Sequence, residues 1–105
     1  MNGTKIYLFR IEVKGLPGCQ VAGAVDGAYV NCIVPASTKK QAENKLKKAL
    51  DEDKYLLISI DKIEDFYSLN FNENNSEDKE YLQMAKDALK YDEVYYGEFC
   101  TWERP

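Results

Sequence analysis

A chain of 105 residues, 45% apolar and 30% charged, has the composition of one globular domain, long enough to bury roughly two-thirds of its unfolded surface but too short for a second core. Its net charge of −4 lacks the basic excess that meets nucleic-acid phosphates, and no apolar run is long enough to span a bilayer. The absence of histidine removes the usual general base near neutral pH and the commonest zinc ligand, so histidine-based triads and histidine-ligated zinc fall away together.

The chain opens almost directly on a strand over residues 5–14, with Tyr7, Phe9, Ile11 and Val13 on one face and Ile6 and Leu8 on the other. No signal-peptide core precedes it and Asn2 stands where myristoylation requires glycine, so a cytoplasmic protein is expected. Residues 15–27 carry Gly15, Pro17, Gly18, Gly23 and Gly27 and end in the hairpin-favouring pair Asp26-Gly27. This connection lacks the Gly-Lys-Ser/Thr ending of a phosphate loop; it reads as a plain long hairpin connection or as a flap beside the sheet, with a short edge strand over Cys19–Val25.

A second strand over 28–35 places Val30, Cys32 and Val34 on one side and Tyr29 and Ile33 on the other, and Pro35 ends it. Cys19, Cys32 and Cys100 are odd in number and irregularly spaced, which argues against disulfides and structural zinc. A helix follows over 38–51, opened by the Thr38/Gln41 capping pair, with Ala42, Leu46, Ala49 and Leu50 as its apolar stripe; the acids Asp51 to Asp53 end it near Leu50. The third strand, 54–62, alternates Leu56, Ile58 and Ile60 with Tyr55, Leu57 and Ser59. Phe66 to Phe71 reads equally as a short strand or as irregular chain.

A second helix over 76–91, capped by Ser76 or Asn75, buries Tyr81, Leu82, Ala85, Ala88 and Leu89. The last strand, 93–102, has Val94, Tyr96, Cys100 and Trp102 on one face and Tyr95 and Phe99 on the other. The order of elements predicts a single α+β domain over residues 1–105. The expected arrangement is a ferredoxin-like α/β plait, a four- or five-stranded mainly antiparallel sheet with both helices on one face. The runs Ala28 to Ser37 and Asp92 to Phe99, with the intervening helix, resemble small bacterial ferredoxin-like proteins of unknown function. The resemblance implies a plait, and some proteins of that kind serve as immunity partners of secreted toxins.

No catalytic or cofactor constellation emerges. Asp61, Glu64 and Asp65 lack the spacing of a calcium loop, and the string Tyr95 to Phe99 lacks the basic lead of an RNA-recognition strand, so neither a metal nor nucleic acid is expected. What remains is binding. Strands that are apolar on both faces need two covers, and two helices on one side supply only one. A non-enzymatic module is therefore expected to associate with itself, as a homodimer, or with another protein through the other face. That contact would use Tyr7, Phe9, Tyr29 and Tyr55 with either Tyr96 and Trp102 or Tyr95 and Phe99.

Charge suggests an alternative. Residues 1–50 hold eight basic and three acidic side chains, and residues 51–105 hold six and fifteen. Lysines 39, 40, 45, 47 and 48 would screen the acids of a neighbouring second helix; otherwise Glu73, Glu77, Asp78 and Glu80 would dock a basic partner such as a toxin. A third reading is a small-ligand pocket between the sheet and loop 15–27, with Cys19 and Gln20 in the loop and Gln20 and Asn31 as polar anchors.

Overall fold

Alternating apolar residues build two long central strands. β1 (Lys5–Gly15) and β2 (Ala28–Ala36) pair antiparallel, setting Tyr7 beside Val34, Phe9 beside Cys32, Ile11 beside Val30 and Val13 beside Ala28 on one face. The computed structural model describes residues 3–19 and 27–101. Gln20, most of the expected edge strand over Cys19–Val25, and Trp102 lie outside those residues. β1 leaves the sheet through Leu16-Pro17-Gly18-Cys19, where the Cys19 N–H donates to the Leu16 carbonyl at 3.0 Å and Gly18 has φ +94°. Proline second and a positive-φ glycine third are the requirements of a type II turn.

α1 (Lys39–Glu52) starts as its sequence dictates: Thr38 Oγ1 accepts from the Gln41 N–H at 3.1 Å, and Gln41 Oε1 accepts from the Ser37 N–H at 3.2 Å. It runs on to Glu52, two residues past the expected stop, and Lys54 in the left-handed region (φ 66°) turns the chain into β3 (Tyr55–Asp65). β3 pairs antiparallel with β1, so β2, α1 and β3 form a crossover with β1 inserted between its parallel strands.

The β1–β3 register slips twice: neither Ile58 nor Asp61 has a partner on β1. These bulges space the residues that face α1 as Tyr55, Leu57, Ile60 and Ile63, and all four pack with the cluster around Leu46 and Leu50. Strict alternation, which put Leu56, Ile58 and Ile60 toward a helix, holds only for Ile60. Leu56 and Ile58 are 50% and 49% exposed.

After β3 the chain makes one 3₁₀ turn (Phe66–Ser68) and a loop, with no strand over Phe66 to Phe71. α2 (Ser76–Tyr91) is capped by Asn75, whose Oδ1 accepts from the N–H groups of Glu77 and Asp78. Ala85 and Ala88 of α2 pack on Ile6, Ile33 and Phe66, whereas Ala42, Leu46 and Leu50 of α1 pack on Phe9, Cys32 and their row. Successive strand residues point to opposite sides, so the helices lie on opposite faces of the sheet. The α+β class, the antiparallel sheet and the two helices match expectation; the placement of both helices on one face does not. The cause is the strand order β3-β1-β2-β4: the segment after β3 must travel from one edge of the sheet to the other, and α2 makes that journey across the face α1 leaves free.

β4 (Tyr95–Tyr96) and β5 (Cys100–Thr101) both pair antiparallel with β2. Tyr96 lies opposite Cys32 and Cys100 opposite Tyr29, so three residues on this strand span two on β2. Gly97 sits in the resulting bulge. Its N–H donates to the Asn31 carbonyl at 2.7 Å, and a Cβ there would lie 2.8 Å from the Tyr81 hydroxyl and 3.1 Å from that carbonyl oxygen. Glycine is required by close approach. Among the described residues, no helix is long and apolar enough to cross a membrane.

Candidate functional site

The bulge decides where the C-terminal aromatics go. With one extra residue between them, Phe99 joins Tyr96 and Val94 over the α1-side core, and Tyr95 packs on the α2 side. Continuous alternation would have set Tyr96 against Phe99. Instead, Phe99 stacks on Tyr55 with ring centroids 5.1 Å apart and meets Tyr96 at 5.8 Å, and Tyr96 meets Tyr55 at 6.2 Å. These are the spacings of mutual packing, which leaves no room for a guest between the rings.

Tyr7, Phe9 and Tyr55, expected on an open face, are 5%, 0% and 6% exposed beneath α1. They are unavailable for contact with a partner. Tyr29 points to the α2 face, half-buried under the Arg10 guanidinium 5.9 Å from its ring centre. Beyond the reach of α2 that face turns mostly polar, with Arg10 beside Lys62 and Glu12 beside Ser59, and with Lys14 beside the half-exposed Leu56. The expected aromatic surface is thus divided between two faces and mostly enclosed by the chain's own helices.

Beside the aromatic trio, Gly18, Glu52, Asp53, Lys54, Tyr55 and Tyr96 line a cavity of about 390 Å³. Cys19 packs against the neighbouring core. Asn31, the expected second anchor, lies on the opposite face, where its Nδ2 donates to the Tyr81 hydroxyl at 3.2 Å. The polar contact of this pocket is internal: the Tyr96 hydroxyl donates to Asp53 Oδ2 at 2.8 Å. Burial, then the hydrogen bond to Asp53 and its negative charge, raise the Tyr96 phenol above its ordinary range. A raised folded-state value contributes stability that is complete below the unfolded phenol's value of about 10 and is lost as pH rises beyond it. Tyr96→Phe is expected to cost about 1 kcal/mol at neutral pH and to flatten the alkaline decline, as thermal melts across that pH range will show.

The acidic candidates divide as well. Asp78 Oδ2 accepts from the Asn72 N–H at 2.9 Å and closes the loop before α2, so its role is local; Glu73 is exposed on that loop. Glu77 and Glu80 converge with Glu98 on a cleft of about 240 Å³ floored by Tyr81, Met84 and Gly97. The lysines of α1 do not face these acids, because the sheet lies between them. Lys45 pairs with Asp92 past the end of α2, and Lys47 with Glu43 one turn back on α1.

The site that sequence reasoning missed is the outer edge of β3. Among the described residues no strand pairs with that side. A groove of about 540 Å³ runs along it, floored by Leu50, Tyr55, Leu57 and Ile60 and rimmed by Lys47 and Asp51 of α1, with Leu56 and Ile58 beside it. The signal was present in the spacing Tyr55, Leu57, Ile60, Ile63, whose steps of two, three and three residues mark the bulges and leave Leu56 and Ile58 outside the α1-facing row. No family model, curated protein or solved structure matches the chain.

Proposed function

We propose that this protein is a non-enzymatic interaction module whose contact surface is the outer edge of β3 and the groove beside α1. One observation carries the reading: Leu56 and Ile58, two large aliphatic side chains, are half exposed two residues apart on an edge strand. They adjoin a groove lined by four further apolar residues, within a six-residue stretch, Tyr55 to Ile60, that carries no charge. Natural edge strands are defended by charges and bulges. β3 has its bulges, and its charges begin only at Asp61, so the half from Tyr55 to Ile60 is left adhesive. A photo-crosslinker such as benzoylphenylalanine replacing Ile58 is expected to give a covalent protein adduct in the native cell. An additional Leu56→Lys substitution is expected to remove it, and the absence of any adduct would overturn the reading.

A second reading rests on Glu77, Glu80 and Glu98 around one cleft, where three carboxylates favour a basic protein, as an immunity-type inhibitor would need. It places the adduct at a probe replacing Glu77 and makes binding fall steeply with salt, whereas an apolar contact on β3 changes little.

A further inference from the structure

Resting on the interaction-module reading, we infer that the occupant of the β3 groove is a second copy of this chain, related by a two-fold axis that passes near Ile58. The surface is self-complementary in charge and in its apolar centre. Ile58, half exposed at the bulge, stands beside a recess floored on the α1 side by Leu50, Tyr55, Leu57 and Ile60, so across the axis the Ile58 side chains of the two copies meet and cover both recesses; Leu56, opposite Lys14, lies on the other face of the sheet. An isologous pair uses one patch twice and closes on itself.

The rim narrows the choice of partner. Lys47 and Asp51 are one cation and one anion, four residues apart on α1 and therefore on the same side of the helix. A two-fold operation running the second α1 antiparallel sets Lys47 against Asp51 of the other copy and Asp51 against its Lys47. A partner of a single charge sign would satisfy one and repel the other. Lys47 bonds Glu43 within its own helix at 2.9 Å, but an ammonium has three donors and can accommodate a second acid. The contact runs through side chains and not through a continuous ladder, because the Ile58 bulge breaks the regular edge. The charged stretch Asp61 to Asp65 limits the seam to the Tyr55–Ile60 half.

Charge variants test the arrangement without touching the core. Sedimentation and native mass spectrometry of the full chain at tens of micromolar are expected to show a dimer, and Ile58→Lys a folded monomer. Lys47→Glu and Asp51→Lys, each alone, set like charges opposite each other twice and are expected to weaken association by roughly tenfold or more. When the two variants are mixed, each of the two cross-helix contacts again joins a carboxylate to an ammonium, and heterodimers should return. A monomeric parent chain, single variants that dimerise as well as the parent, or a mixture without heterodimer each overturn the proposal. If the proposal fails in that way while the probe at position 58 still captures a different protein, the module reading stands; if the probe also captures nothing, both fall.

Discussion

Phe66→Ala is expected to lower the stability of this protein by about 3–5 kcal/mol, the usual cost of emptying a buried phenylalanine site. Phe66 is 1% exposed, stacks on Phe71 with centroids 4.5 Å apart, and belongs to the cluster of Ile6, Ile33, Ala85 and Ala88. The α2 side of the sheet depends on it, because α2 contributes only two alanines to the fully buried part of that layer. With a total stability on the order of 5–15 kcal/mol for a domain of this kind, such a loss leaves little reserve. Denaturant titration measures the cost directly. Hydrogen exchange should show α2 amides losing protection before those of α1.

Leu46→Ala is expected to cost about 2–5 kcal/mol by emptying the corresponding position on the other face. Leu46 is fully buried between Ala42 and Leu50, over the row of Phe9 and Cys32. The pair of sites also tests the architecture. On opposite faces of a sheet the two residues share no partners, so their effects should add, with coupling below about 0.5 kcal/mol. The milder substitutions Leu46→Val and Phe66→Leu keep the doubly substituted chain folded for that cycle. A coupling well above this would place both helices against one another on a shared face.

Local signals in the sequence located most elements well. Thr38 with Gln41 and Asn75 before Glu77 fix the helix starts within a residue, and alternation groups Tyr7, Phe9, Ile11 and Val13 on one face of β1 and Val30, Cys32 and Val34 on one face of β2, although Tyr7 and Phe9, expected on the open face, lie under α1. The two-sided residues of β1 and of the last strand also indicated that the sheet needs two covers, and each face does carry a buried cluster. The second cover is α2 itself. That was not legible, because which face a helix takes depends on strand order, and strand order is set by pairings between residues distant in sequence. The candidate site was hidden for a different reason. Bulges at Ile58, Asp61 and Gly97–Phe99 each add a residue and reverse the sense of alternation beyond it. Tyr96 and Phe99 thereby came together, and Ile60 turned toward α1 with Leu57, leaving Leu56 and Ile58 exposed.

The division of the helices between two faces has a consequence for biosynthesis. A chain leaving the ribosome from its N-terminus completes β1, β2, α1 and β3 before α2 has emerged. In that interval one side of the sheet is finished, and Ile6, Leu8 and Ile33 look out on water. The segment from Ser76 onward is therefore a lid for the nascent protein, and truncation before it should yield a species that binds hydrophobic dyes and aggregates.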